Sequence, residues 1–211
     1  MLFDNNTFYL FTDPMCPWCY AISKELDVFL QKYPEFKLEV ILGGLRRNDP
    51  SLITPEKGKA IEKSWERVTA MSGVKFGEDI FSELTKEHFT YNTEEACRAV
   101  VTFRELQPNK TFSFLEDVHE LFFIHGKDLR DLDSYTPLLH KYKVDQITFA
   151  ARYYSDEMRK ITYDDYALSK QVGAKNFPTL TFMQNGELNA LSTGYRLAVD
   201  LEKVMEKILN T

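Results

Sequence analysis

The sequence predicts an α/β fold in which a β-α-β unit opens the chain, a β-β-α unit closes it, and an all-helical block lies between them. Three observations carry this. A continuous apolar run, Phe8 to Phe11, feeds through Cys16-Pro17-Trp18-Cys19 into an amphipathic helical pattern. A hairpin signal, Gln184-Asn185-Gly186-Glu187, joins two apolar runs late in the chain. The long middle has helix caps and helical spacing but no alternating strand pattern.

Residues 7–12 read as a strand buried on both faces, because Phe8 through Phe11 leave no polar side. Pro17 suits a first helical turn, where its missing N–H costs nothing. The helix that follows puts Trp18, Ile22, Leu26, Phe29 and Leu30 on one face and stops before Pro34. Lys37 to Leu42 reads as the second strand, ended by Gly43-Gly44. Two strands joined by a helix imply a parallel pair with a right-handed crossover.

In the middle, Thr54-Pro55-Glu56 is an N-cap with proline at N1, and Ile61, Trp65, Val68 and Met71 follow at helical spacing. A second helix is expected from Asn92-Thr93-Glu94-Glu95 to Pro108, and a third through Phe112, Leu115, Val118 and Phe122 to Gly126. Asp145 is expected to cap a fourth, with Ile147, Ala151, Tyr154 and Met158 on its face, and Thr162 a last one that ends at Gly173. Strand character returns at Pro178–Met183 and, after the hairpin turn, at Leu188–Thr193. A C-terminal helix carries Leu197, Leu201, Val204, Met205 and Ile208 on one face. The expected division is a discontinuous sheet domain, 1–50 with 171–211, interrupted by a helical insertion domain, 51–170.

Composition narrows the function. A net charge of −6 with no basic cluster argues against nucleic acid or an anionic membrane as partner. No stretch approaches the roughly 18 apolar residues of a membrane span. The first residues, Met1 to Asn6, show neither the basic nor the apolar region of a signal peptide, so a cytoplasmic location is expected. In a reducing compartment a C-x-x-C pair is more often transient and catalytic than a permanent staple.

Cys16 and Cys19 stand at a strand-to-helix corner, which reads as a thioredoxin-like redox site. Free N–H groups and the positive end of the helix dipole would stabilise a thiolate at Cys16, the nucleophile. Pro17 offers no donor, so the amides of Trp18 and Cys19 are expected to serve. Cys19, one turn on, would resolve the mixed disulfide. Trp18 brings apolar surface without a titrating group, so the pair is expected to be less oxidising than one with histidine at that position. A zinc site would need a second pair of ligands. Only Cys97 and the scattered His88, His119, His125 and His140 remain, so no metal is expected.

Four stretches give the chain a resemblance over essentially its whole length. They are Asp13-Pro14-Met15-Cys16-Pro17-Trp18-Cys19-Tyr20, Leu42-Gly43-Gly44-Leu45-Arg46, the insertion motifs Asn92–Ala99 and Leu121–Leu129, and Val172-Gly173-Ala174-Lys175-Asn176-Phe177-Pro178-Thr179. Together they resemble the DsbA-like thioredoxin family, and more closely its cytosolic branch of FrnE-like proteins and 2-hydroxychromene-2-carboxylate isomerases. The resemblance implies a cis-proline at Pro178 facing the redox pair, with the backbone of Phe177 offered to a bound polypeptide. It also implies a thiol–disulfide oxidoreductase or isomerase without a metal or nucleotide cofactor. Expected partners are protein or peptide thiols and disulfides, with a thioredoxin or glutathione system to recycle the pair. Relatives that use glutathione as co-substrate, including kappa-type transferases, usually lack the second cysteine, which is present here. A glutathione-dependent isomerase or transferase and a non-enzymatic adaptor are the alternatives.

Other residues have plainer expectations. Cys97 reads as a buried small hydrophobe. Met15 and Tyr20 are expected to form an apolar rim with Trp18, and Asp13 and Glu25 to be solvated. Arg46 and Arg47 read as a solvated loop pair, with binding of a carboxylate such as glutathione's as the other reading.

Overall fold

A computed structural model of the chain describes residues 3–47, 49, 51–84, 86 and 89–210; His88 lies outside them. The first strand, β1 (Thr7–Thr12), leads through the redox corner into helix α1 (Pro17–Leu30) and back to β2 (Lys37–Leu42). β1 and β2 pair in parallel, Phe8 opposite Leu38 and Leu10 opposite Val40. At the other end, β3 (Thr179–Gln184) and β4 (Glu187–Thr193) form an antiparallel hairpin, followed by α9 (Ala198–Leu209). Asn185 and Gly186 both take positive φ, as a tight two-residue hairpin turn requires. β3 also pairs antiparallel with β1, so the sheet order is β2-β1-β3-β4 and the ends of the sequence meet at its centre.

Alternation along β1 divides the core. Phe8 and Leu10 face the larger cluster, with Ile22, Leu26 and Phe29 of α1 and Leu201 and Met205 of α9. Tyr9 and Phe11 face a smaller cluster with Ile41, Ala174 and Met183. Every residue of β1 is buried, as a central strand covered on both sides must be.

The insertion consists of α2 (Pro55–Ser72), α3 (Glu78–Leu84), α4 (Glu94–Leu106), α5 (Thr111–Phe123), α6 (Thr136–Lys141), α7 (Gln146–Tyr153) and α8 (Asp156–Gln171). Thr54 caps α2 by accepting from the Lys57 N–H, and Gly73 ends it in the left-handed conformation. α4 is buried continuously from Ala96 to Phe103 and packs against α5, α7 and α8. The insertion is fastened to the sheet by an ion pair. Arg104 of α4 donates to both carboxylate oxygens of Asp165 on α8, at 2.8 and 3.0 Å, and to the carbonyl of Val40. Asp165 in turn accepts from the N–H of Leu42 at 2.9 Å. Removing either partner would leave a buried charge, which typically costs about 3–5 kcal/mol.

Four expectations fail. The helix expected from Asp145 through Met158 is two helices, because the Ser155 hydroxyl accepts from the Met158 N–H and starts α8 anew. Its expected inner face is wrong: Ile147 is 80% and Tyr154 62% exposed, while Phe149 and Tyr153 are buried. Thr162 is no cap; it lies inside α8 and its hydroxyl donates to the Met158 carbonyl, the usual way a mid-helix threonine satisfies its proton. On α9, Leu197 is the exposed N-cap residue and Ala198 is buried in its place. The short α3 and α6 were not anticipated.

Candidate active site

Cys16 is the N-cap residue of α1, with extended φ and ψ, and Pro17 stands at N1. Its carbonyl accepts from the N–H groups of Cys19 and Tyr20, each at 3.0 Å. The Cys19 amide thus closes the first turn of α1. The Sγ of Cys16 lies 3.6 Å from the carbonyl oxygen of Phe177, and the Phe177–Pro178 peptide bond is cis. The structure thus brings Cys16, Cys19, Phe177 and Pro178 together from opposite ends of the sequence.

The two thiols are free, and they differ in environment. Cys16 lines an open groove of about 480 Å³. Both are buried, Cys16 3% and Cys19 1% exposed, and Cys19 is not part of the groove wall. Burial, then the neighbouring Cys16 sulfur, pushes the Cys19 thiol well above the ordinary thiol range, against the Thr12 hydroxyl and the Asp13 N–H. Ser23 holds the following turn by donating to the Cys19 carbonyl, and its oxygen lies 3.5 Å from Nδ1 of His119. Burial keeps that imidazole neutral, pushed down to about 3.

Asp13 is not solvated. It is fully buried, and its carboxylate accepts from the N–H of Met15 at 2.9 Å and of Leu45 at 2.7 Å. The Cys97 thiol lies 3.6 Å from the same carboxylate. Burial pushes the Asp13 carboxyl upward, opposed by these donors. Cys97 is fully buried, as expected, yet it has a polar partner rather than a purely apolar surrounding. Glu25 is placed elsewhere: it accepts from the N–H of Ala198 at 2.8 Å and so holds the start of α9.

A residue that sequence reasoning missed is Tyr91. Its hydroxyl donates to the Met15 carbonyl at 2.5 Å, so the insertion holds the backbone next to Cys16. The Arg46 guanidinium stacks over the Tyr91 ring at 4.6 Å, and Arg47 lies 5.1 Å from the centre of the Tyr166 ring. The expected apolar rim is also differently composed. Met15 is buried and Tyr20 stacks on Phe123, 5.0 Å between ring centres. Trp18, beside Tyr195, is joined at the groove instead by the exposed Leu45 and Met71.

Phe177 forms a wall of this groove and of a second pocket of about 380 Å³ behind it. Its ring packs so closely on Gly43 that a Cβ there would come within 1.9 Å of it. Among the described residues, no group of three or more His, Cys, Asp or Glu side chains is arranged to hold a metal ion. No helix among them is long and apolar enough to cross a membrane.

Known proteins share this architecture. A protein from Nitrosomonas europaea, provisionally described as a protein disulfide isomerase, superposes with a TM-score of 0.86 at 27% identity, over 98% of each chain. The cytosolic disulfide reductase DsbM of Pseudomonas aeruginosa gives 0.78 at 21% identity, over 97% of this chain and 98% of that one, and has also been solved with GSH. The ClpXP adapter protein SpxH of Bacillus subtilis is 22% identical over 177 residues, which is 82% of this chain. That match and one to the Bacillus licheniformis protein span only 57% and 66% of the curated relatives' own lengths. The model of the DSBA-like thioredoxin domain matches residues 7–202. With a thioredoxin-type sheet interrupted by helices and a C-x-x-C pair at the head of α1, the chain belongs to the DSBA-like thioredoxin domain family.

Proposed function

We propose that the protein is a thiol–disulfide oxidoreductase acting through Cys16 and Cys19 on protein or small-molecule thiols and disulfides. The observation that carries this reading is the asymmetry of the pair, one cysteine on the wall of a groove and the other buried and no part of that wall. In reduction, the Cys16 thiolate attacks one sulfur of a substrate disulfide; a Cys16–substrate disulfide forms and the other substrate sulfur leaves as thiolate. Cys19 then gives up its proton and attacks the Cys16 sulfur, closing the Cys16–Cys19 disulfide and releasing the second thiolate. Two electrons pass from the pair to the substrate. An external dithiol, or two molecules of glutathione, restores the dithiol; running the steps backward oxidises a substrate instead. Pro17 and Trp18 shape the corner, and Phe177, followed by the buried Pro178, forms the opposite wall against which substrate backbone lies. No metal or nucleotide takes part, glutathione serves as a co-substrate, and the setting is the cytoplasm, in keeping with the cytosolic reductase of similar fold.

The reading is tested by equilibrating the protein in glutathione buffers and following Trp18 fluorescence together with the mass of the alkylated protein. A reversible two-electron transition is expected, and Cys19→Ser should accumulate the mixed disulfide. A pair that never closes would sink the dithiol mechanism. A second reading, a protein-binding adaptor, is favoured by the match to the ClpXP adapters and by the exposed Leu45 and Met71 beside the groove. It predicts partner binding that survives a Cys16→Ser/Cys19→Ser double variant.

A further inference from the structure

The charge around the redox pair runs against that of the chain. Acidic residues outnumber basic ones, 32 to 26. Yet no acidic side chain among the described residues lines either pocket beside Phe177. The groove containing Cys16 has Arg67 from α2 and Lys175 on its walls. The pocket behind Phe177 has Arg47, Lys170 and, again, Lys175, with the Gly43-Gly44 backbone at its floor. Leu45, Lys175 and Phe177 line both, so the two hollows meet over the Phe177 ridge. None of the four cations has an ion-pair partner among the described residues, whereas Arg98, Arg104, Arg130 and Arg152 are each paired with a carboxylate. Unpaired cations gathered at a concave site raise the local potential and attract anions.

We propose that the two hollows are one bipartite cleft that selects thiols or disulfides carrying carboxylates on both sides of the sulfur. Arg67 meets a carboxylate at the α2 side of the groove. Arg47, Lys170 and Lys175 meet the other, beyond Phe177. The inference rests on the exchange role of Cys16 and adds the class of substrate. An acidic stretch of polypeptide around a cysteine has this chemistry, and so has a small thiol with a carboxylate at each end.

The test uses two peptides identical except for Glu or Lys on each side of a central cysteine, each presented as its mixed disulfide with the neutral 2-mercaptoethanol. The full chain is expected to react about 10-fold faster with the acidic peptide at low ionic strength, the ratio shrinking as salt rises. In Lys170→Glu/Lys175→Glu the acid-to-base ratio should fall to unity or invert. Arg47→Glu gives an independent second variant should the first fail to fold. A ratio near unity in the unaltered protein, or one untouched by charge reversal, overturns the proposal. Fluorescence anisotropy with the same peptides carrying serine in place of cysteine separates the two claims. Binding of the acidic serine peptide without any disulfide exchange keeps the cleft and removes the exchange role. Exchange with both disulfide peptides at equal rates does the opposite. Competition by S-methylglutathione then tells the sources apart: displacement assigns the cleft to a small thiol, and retention of the peptide assigns it to polypeptide.

Discussion

Two carboxyl groups beside helix α1, one fully buried and one half-buried, sit in opposite surroundings. At its head, Asp13 is fully buried but surrounded by donors: two backbone N–H groups and the Cys97 thiol. Near its end, where α1 meets α5, Glu116 faces Asp27, with Asp117 and Glu120 close by, and no ion pair to Glu116 is formed among the described residues. Burial and the facing Asp27 push Glu116 up to about 8, so it holds its proton at neutral pH. The lesson is that burial alone does not decide ionisation. Burial raises both groups; at Asp13 the backbone donors oppose that rise, whereas at Glu116 the neighbouring carboxylates add to it.

The largest effect expected at the head of α1 is on chemistry. Cys16→Ser should lower disulfide turnover by about three orders of magnitude or more, since the hydroxyl is not ionised and is a poor nucleophile toward sulfur; an insulin- or peptide-disulfide reduction assay reads it. Next comes Asp13→Ala, which strands the amides of Met15 and Leu45. At about 1–3 kcal/mol per buried unpaired group, the melting temperature should fall by roughly 10 °C. Asp13→Asn, which keeps an acceptor, should fall by less. If Ala and Asn melt alike, the donor argument for the head of α1 is broken.

At the α1–α5 seam the effect is smaller and depends on pH. Glu116 binds its proton more tightly folded than unfolded, so its contribution is present below about 4.5 and is lost as pH rises toward about 8. Glu116→Gln should therefore raise the melting temperature at pH 8 by a few degrees and leave it little changed at pH 5. His119 has the opposite sign. Its folded value is depressed to about 3, so stability is lost as pH falls from about 6.5 toward that value. Between about 4.5 and 6.5 the two slopes oppose each other, and a thermal melt series should show a shallow maximum there. Steady loss of stability from pH 8 to pH 5 would show that the Glu116 proton is not held.

Much of this was readable from residues alone. The strand bounds of β1 and β2, the start of α1 at Pro17 and the Asn185-Gly186 turn depend on local pattern, and the structure repeats them. The placement of Asp13 was not readable. Its partners Leu45 and Cys97 lie 32 and 84 residues away, and no short-range spacing records that. Tyr91, 76 residues from Met15, was missed for the same reason. The error over α7 and α8 is of another kind. Tyr153 and Tyr154 are adjacent, so the helical period alone fits either face. Tertiary packing decides it: Phe149 and Tyr153 join the main core, and the Arg98 guanidinium stacks 4.3 Å from the Tyr153 ring centre.

The contact between Gly43 and Phe177 makes position 43 a size gauge for the whole entrance. Gly43 continues the sheet beyond β2 by donating to the Thr12 carbonyl at 2.8 Å, so its backbone is anchored and cannot recede. Any side chain placed there must be met by a shift of the Phe177 ring. That ring is the partition between the sulfur-bearing groove and the cationic pocket behind it. One methyl group at the floor of the rear pocket would thus redraw the border between two compartments, and Gly43→Ala becomes a handle for retuning what the entrance admits while both cysteines stay in place.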